Sequence, residues 1–346
     1  MSTANLDVAD MKAALAGGLV REDVMDKIFD ISRIPLPFSD LIGSTNDVTN
    51  SFKEWTLDAL AAPDITNAVV DGSDASGNDT SLGTRVGNRC QISDKVVRVS
   101  FRAEDVTKIG RAKELARQLT RKQQELRRDV EAICLINQAS VEDNGNATAG
   151  KVGTLPSWLT TTHINGTAGG FNTTTKLTVA RTVTAKSALT EAKIKTALQS
   201  IYNAGGDATH LMTVPDVISR ISEYLFSTSA RIATLKSEVM QSAEKAKAIA
   251  AINVYAGDFG TLMFVPNRLQ QKHADSTGAE LDAADVFILD PQYLQLGYLH
   301  GYRTETLAKT GLAENRQMSV DWTLIVGNES AQGMIGDIDF TAAMTA

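Results

Sequence analysis

Seven residues in this chain, Gly145-Asn-Ala-Thr-Ala-Gly150-Lys151, have the glycine and lysine spacing of a phosphate-binding loop. In such a loop, backbone N–H groups cradle a polyphosphate and the lysine reaches its outer charges. The context opposes that chemistry. Val152 stands where a Ser or Thr would hold Mg²⁺, a helical segment precedes the run, and Gly153, Leu155 and Pro156 cannot open a helix behind it. The run reads as a flexible exit from the preceding helix. His163, His210, His273 and His300 are scattered, and none has a His, Cys or carboxylate partner at metal-ligand spacing. Each therefore reads as a satisfied polar group, with His210 packing beneath a helix pair. Ser242-Ala-Glu-Lys245 fits a serine-then-lysine acylation pattern but lacks the accompanying signatures. Asn146-Ala-Thr148, Asn165-Gly-Thr167 and Asn172-Thr-Thr174 are glycosylation sequons only if the chain is secreted. No catalytic constellation, cofactor site or metal site is predicted, and the expectation is a protein that is not an enzyme.

The charged side chains form a more coherent pattern. Arg85, Arg89, Lys95, Arg98 and Arg102 run along one strand-like segment, without the interleaved aromatics of a nucleic-acid groove. Behind them lies a long helical stretch, residues 103–140. Its apolar positions, Val106, Ile109, Ala112, Ala116, Leu119, Leu126, Val130 and Ile133, draw one narrow stripe. Only Gly110 interrupts it. About 36 helical residues would make a rod of roughly 54 Å, more than a compact domain needs to close its core. The flanks of the rod carry both signs, with Arg121 spaced to pair with Glu125 and Arg127 with Glu131. Arg85, Arg89, Lys95, Arg98, Arg121, Arg128, Glu125 and Glu131 are therefore expected to contact neighbouring copies of the chain, although a solvated edge strand and a plain surface helix would carry similar text.

Composition sets the class. With 346 residues and 43% hydrophobic content, the chain can bury a substantial core. A formal charge of -7 disfavours a nucleic-acid reader, whose affinity comes largely from cationic side chains on phosphates. There is no apolar run of 18 or more residues, so no membrane partner is expected, and the first residues, MSTANLDVADMKAALAGG, lack the features of a secretory signal. These features predict a cytosolic protein, in which Cys90 and Cys134 are unpaired thiols.

The segments divide as follows. Residues 1–43 read as an arm with a short helix, ended by Pro35 and Pro37. Residues 44–102 form a long hairpin: one strand around Phe52, Trp55 and Leu57, a soft tip from Asp71 to Gly83, and a return strand through Val86, Cys90, Ile92, Val97, Val99 and Phe101. The rod occupies 103–140. Residues 141–188 carry twelve threonines between Thr148 and Thr184 and read as an exposed insertion of short β-structure facing outward or toward a neighbour. Residues 189–260 hold a helix capped by Thr190 and closed by Gly205 and Gly206, a strand from His210 to Val214, and a helix opened by Pro215. Residues 261–346 supply the terminal strands. The fold class is α+β.

Gly87-Asn-Arg-Cys-Gln-Ile-Ser-Asp-Lys-Val-Val-Arg-Val-Ser100 and Glu114-Leu through Leu126-Arg-Arg-Asp-Val-Glu-Ala-Ile133 resemble the hairpin-to-spine junction of tailed-phage major capsid proteins of the Hong Kong 97-type fold, SU-ten-like subfamily. The order of segments is similar along most of the chain. The resemblance implies an N-terminal arm, an extension loop, a spine helix, an axial domain at 189–260 and a peripheral domain. It further implies a virion shell of hexamers and pentamers around packaged double-stranded DNA, assembled in the host bacterial cytoplasm. Scaffolding, portal and cement proteins are the implied partners. The start at Met1 predicts a separate scaffold rather than a cleaved one. The tip contains no lysine, which predicts that the loop-lysine crosslink of some family members is missing. An encapsulin-type nanocompartment shell is the alternative with the same fold.

Overall fold

The computed structural model describes residues 35–72, 74, 82–106, 113–227, 254–278, 280–309 and 311–345. In chain order, a short helix α1 (Pro37–Leu41) leads into strands β1 (Gly43–Thr45), β2 (Phe52–Leu57), β3 (Thr84–Arg89) and β4 (Gln91–Ser100). Helices α2 (Phe101–Asp105), α3 (Glu114–Leu135) and α4 (Leu155–Trp158) follow. Three short strands, β5 (His163–Ile164), β6 (Gly170–Asn172) and β7 (Leu177–Val179), precede α5 (Glu191–Asn203), β8 (His210–Thr213) and α6 (Pro215–Ser227). The last described elements are β9 (Val254–Gly257), β10 (Gly260–Pro266), β11 (Ala283–Leu289), β12 (Leu294–Thr306), β13 (Ala313–Val326) and β14 (Gly333–Asp339).

Two sheets organise these elements. One has the order β1-β12-β13-β4 and the other β5-β14-β11-β8-β10-β9. Strand β11 is buried at every position, as expected for a run, Ala-Ala-Asp-Val-Phe-Ile-Leu, that is apolar on both faces. Its Phe287 and Leu289 enter a core with Leu126, Val130, Trp158 and Trp322, while Ala284, Val286 and Ile288 enter a second core with Ile194, Ile201, Leu211 and Ile221. The helix-strand-helix unit follows its sequence signals: Thr190 Oγ1 accepts from Lys193 N, Gly205 takes φ +83°, and Pro215 opens α6.

The single rod expected from residue 103 to about 139 is not continuous. Val106 ends α2 in extended conformation (φ -70°, ψ 148°), and Lys113 is extended before α3 begins. Ile109, Gly110 and Ala112 lie outside the described residues. The first two N–H groups of α3 donate to Glu104 Oε2 at 3.0 and 3.2 Å, so a carboxylate from the preceding short helix satisfies groups a helix start leaves bare. At the other end, Ile136 is extended because tertiary bonds replace helical ones: Thr154 Oγ1 donates to Ile136 O and accepts from Gln138 N, and Asn137 is tied to the Arg181 backbone. Helix α3 is thus 22 residues long, about 33 Å.

The hairpin is also divided. Strands β2 and β3 pair antiparallel from Phe52↔Arg89 to Leu57↔Thr84, but the chain changes partner at Cys90. Strand β4 instead pairs with β13, from Gln91↔Trp322 to Ser100↔Ala313. The alternation of β4 explains the change: Val97 and Val99 are buried, and a four-stranded sheet backed by α3 covers them where a two-stranded ribbon leaves both faces wet.

Residues 141–188 correct a further expectation. Val152, Leu155, Trp158 and Leu159 are buried in the first core, and Trp158 stacks on Phe171 at 5.4 Å. Strand β5 joins the six-stranded sheet beside β14. Only the tips, 142–149 and 172–176, are exposed throughout. Threonine hydroxyls here serve as internal bonds: Thr178 Oγ1 accepts from Ser140 N at 2.9 Å and meets Ser157 Oγ at 3.0 Å. Residues 152–159 are buried without a break, so this segment is rooted in the core rather than standing outward as a separate insertion.

Candidate assembly surface

The β2–β3 ribbon projects a long connection, and its root is fixed with unusual care. Asn88 is buried and spends its amide completely: Nδ2 donates to Gly153 O and Leu324 O, each at 2.8 Å, while Oδ1 accepts from Gly153 N and Arg89 N. Gly87 is required where it sits, since a Cβ would lie 2.7 Å from Lys53 O. Trp55 Nε1 donates to Val326 O at 3.1 Å, and its ring lies 5.4 Å from that of Trp158. Beyond Leu57 the chain leaves this anchorage. Residues 58–72 are exposed throughout, with Leu60 at 101%, Ile65 at 96% and Leu82 at 99% exposure, and Val69 and Val70 close behind. Burying a side chain of this kind is worth about 1.5–3 kcal/mol relative to leaving it exposed. Five of them leave a stabilisation of order 10 kcal/mol unrealised in the lone chain. Much of the tip from Asp71 to Gly83 lies outside the described residues.

The charged residues expected to meet neighbours divide into three groups. Several are paired at home: Arg89 reaches Glu142 at 2.9 Å and lies over the Phe52 ring at 4.6 Å, and Lys95 bridges from β4 to Asp129 of α3 at 2.6 Å. Arg85 sits 3.8 Å from Glu54. Glu125 pairs with Lys122, not Arg121, and Arg127 covers the Tyr302 ring at 5.5 Å, not Glu131. A second group remains available. Arg98 and Arg121 are exposed with no ion pair among the described residues, and half-buried Arg128 has an Nε without a hydrogen-bond partner.

Glu131 alone forms the third group, and its assignment to a neighbour is corrected. It is fully buried, and its two oxygens accept from Phe38 N (2.7 Å), Ser39 N (2.7 Å), Ser39 Oγ (2.6 Å) and Asn267 Nδ2 (2.9 Å). Helix α1 has no side-chain cap of its own at Leu36, and Glu131 supplies that function across 93 residues of sequence. No charge is left over for a partner.

Of the polar groups suspected of chemistry, half-buried His163 departs from the expectation of a satisfied group, since neither ring nitrogen has a hydrogen-bond partner and burial lowers its pKa; the other three histidines find partners. In the Gly145–Lys151 run, Asn144 Oδ1 accepts from the backbone N–H groups of residues 146, 147 and 148, which are therefore not free to cradle phosphate. His210 is half-buried beside the Thr209 hydroxyl at 2.8 Å, with burial lowering its pKa, and His300 is exposed against Leu299 O. Ser242 and Lys245 lie outside the described residues. Cys90 and Cys134 are free; burial pushes the Cys90 thiol up to about 12 and that of Cys134 well above the ordinary range.

His273 does have carboxylate partners, contrary to the sequence expectation. Its Nε2 lies 2.9 Å from Asp337 Oδ1 and 3.7 Å from Asp285 Oδ1, a set that could in principle ligate a metal. A cation already occupies that position: the Arg181 guanidinium, 1% exposed, donates to Asp285 at 2.7 Å and to both oxygens of Asp337 at 3.0 and 3.1 Å. Burial alone would raise the Asp337 carboxyl, but hydrogen bonds from His273, Arg181 and Thr184 N outweigh it and hold it far below the usual carboxylate range. The cluster is an internal tie between residues 181, 273, 285 and 337.

Residues 3–339 match the family described as SU10 major capsid protein. The chain belongs to this family. Its α+β fold is of the Hong Kong 97 type: the Cyanophage Pam1 capsid is similar over 97% of this chain and 99% of that one, at a TM-score of 0.54 and 12% identity. The holo-SrpI encapsulin complex from Synechococcus elongatus PCC 7942 is similar at a TM-score of 0.51 and 12% identity, over 99% of both chains. A curated relative, the major capsid protein of Escherichia phage Phieco32, is 38% identical over 106 residues; that match takes in 31% of this chain and 30% of the relative's own length. Within this SU10 family member, no helix among the described residues is long and apolar enough to cross a membrane.

Proposed function

We propose that this protein is the major capsid protein of a tailed bacteriophage and forms an icosahedral head of hexamers and pentamers around double-stranded DNA. The observation that carries the reading is the extended segment beyond Leu57, exposed at every residue from 58 to 72, whose Leu60, Ile65, Val69 and Val70 are 78–101% exposed while two buried cores hold the body of the protomer. Such a surface calls for a covering partner. In a closed shell, each protomer covers its neighbour's segment and is covered in turn, and many modest contacts add through closure and multiplicity. Of the charged residues expected at the interface, Arg98, Arg121 and Arg128 have no ion pair among the described residues and can pair with carboxylates of adjacent copies. Arg85, Arg89, Lys95 and Glu125 contribute there only by exchanging their present partners.

In this reading, residues 1–43 are the arm, 44–102 the extension loop and the start of the peripheral domain, the helix within 103–140 the spine, 189–260 the axial domain, and 261–346 the returning strands. Scaffolding, portal and cement proteins are the expected accessory partners. The DNA is held without base-specific contact, and assembly takes place in the host cytoplasm. Electron microscopy of the purified protein tests the reading. Large heads that package DNA support it, whereas small DNA-free cages holding cargo protein would favour the encapsulin alternative.

A further inference from the structure

The turn that leaves α3 brings together three features that no part of the shell reading uses. Gly145 N donates to the Asp143 carboxylate Oδ1 at 2.7 Å. The side-chain carbonyl of Asn144 accepts three backbone N–H groups, from Asn146 (3.0 Å), Ala147 (3.1 Å) and Thr148 (2.9 Å). Gly145 sits at φ +68° with nothing within 4 Å of the place a Cβ would occupy, and the whole turn is exposed to water. A carboxylate base is thus bonded to a backbone nitrogen, and the adjacent amide carbonyl is polarised by three donors.

We propose that Asn144 is a self-modifying residue, converting through a cyclic imide to aspartate and isoaspartate. Gly145 N attacks Asn144 Cγ, and negative charge develops on Oδ1, where the three N–H donors stabilise it as an oxyanion hole does. The Gly145 proton passes to Asp143, which then delivers it to the departing Nδ2. The N–Cγ bond forms, the Cγ–Nδ2 bond breaks, and ammonia leaves. Solvent water opens the imide at either carbonyl, yielding aspartate or isoaspartate with one added negative charge. Glycine at 145 matters because the absence of a Cβ leaves the attacking nitrogen unhindered.

The same chain provides an internal comparison. Asn165-Gly166 is the same dipeptide, but the Asn165 amide donates two short bonds, to Ser187 Oγ at 2.7 Å and Gly336 O at 2.9 Å, where the Asn144 amide donates one long bond to Thr148 Oγ1 at 3.3 Å, and a Cβ at Gly166 would lie 2.7 Å from Thr182 O. Trypsin separates the two sites, releasing 129–151 and 152–176.

The test incubates the purified full-length protein, folded and in urea, in mildly alkaline buffer. The amide-to-acid mass gain and the isoaspartate content of each peptide are then followed. Asn144 should react about tenfold faster in the folded chain than in the unfolded one, a small share of what a positioned base can supply in a water-exposed turn. Asn165 should show the reverse order. Asp143→Ser should slow Asn144 in the folded chain and leave its unfolded rate unchanged. A folded rate at Asn144 no greater than the unfolded rate, or an Asp143→Ser chain that reacts as fast as the original, would overturn the proposal.

Discussion

Glu131→Gln separates a structural carboxylate from an interface carboxylate. The substitution keeps one oxygen, which can still serve Phe38 N and Asn267 Nδ2, and replaces the other with an NH₂ group. Ser39 Oγ can rotate to accept from that group, but Ser39 N, partly buried, then loses its acceptor. A stranded N–H costs about 1–3 kcal/mol when fully buried and falls at the low end here, and the surviving bonds, two of them at buried groups, lose their charge assistance, so the total is about 3 kcal/mol. That corresponds to a change of about a hundredfold in the unfolding equilibrium. Glu125→Gln on the same helix provides the scale, since its half-buried carboxylate pairs only with Lys122 at i,i+3 and should cost no more than about 0.5 kcal/mol. Urea unfolding of the two variants should show a lower midpoint with unchanged slope for Glu131→Gln and almost no shift for Glu125→Gln. Equal midpoints, or a Glu131→Gln chain that unfolds normally and fails only to assemble, would refute the buried-cap assignment.

Other consequences can be measured on the same material. Arg98→Glu should weaken shell assembly, read as the fraction sedimenting as particles, while circular dichroism and unfolding of the subunit stay unchanged; normal assembly would remove Arg98 from the interface. The Asp337 carboxyl is held far below its ordinary range and that of Asp275 is lowered to about 2, chiefly by Lys186 N and Thr277 hydrogen bonds. Both therefore contribute stability that is fully present above about pH 4 and lost as pH falls through the folded values. Unfolding midpoints should be flat in this contribution through the neutral range and drop in acid. Replacing Asp337 with Asn should lower the neutral midpoint and flatten that acid dependence. With both thiols raised, alkylation of Cys90 and Cys134 at neutral pH should be far slower in the folded protein than in urea, and equal rates would contradict the burial of Cys134.

Local chemistry was legible where it acted locally. The cap at Thr190, the glycine stop at 205 and the proline start at 215 all lie in short windows, and all form as the residues suggest; the terminal strands also form where they are expected. The stop of α3 at Leu135 was not legible, because the bonds that end it come from Thr154 and Arg181, which compete with helical bonds only once the chain has folded. Glu131 stood at helical spacing from Arg127 and matched a surface pair; only the arrival of α1 makes it a buried cap. The Arg181 tie joins residues separated by up to 156 positions, so no spacing rule can find it. The threonine-rich segment misled because threonine suits both exposed strands and internal hydroxyl bonds, and composition does not say which. Asn88 lay within the stretch that resembles the capsid family, yet its four-way clamp needs Gly153 and Leu324, both distant in sequence.

A density map of the assembled particle at side-chain resolution tests the central claim most directly, by the surroundings of Leu60, Ile65, Val69 and Val70. The account predicts that each is covered by another copy of the chain. The same side chains open to solvent in the particle, or folded back on their own protomer, would contradict it.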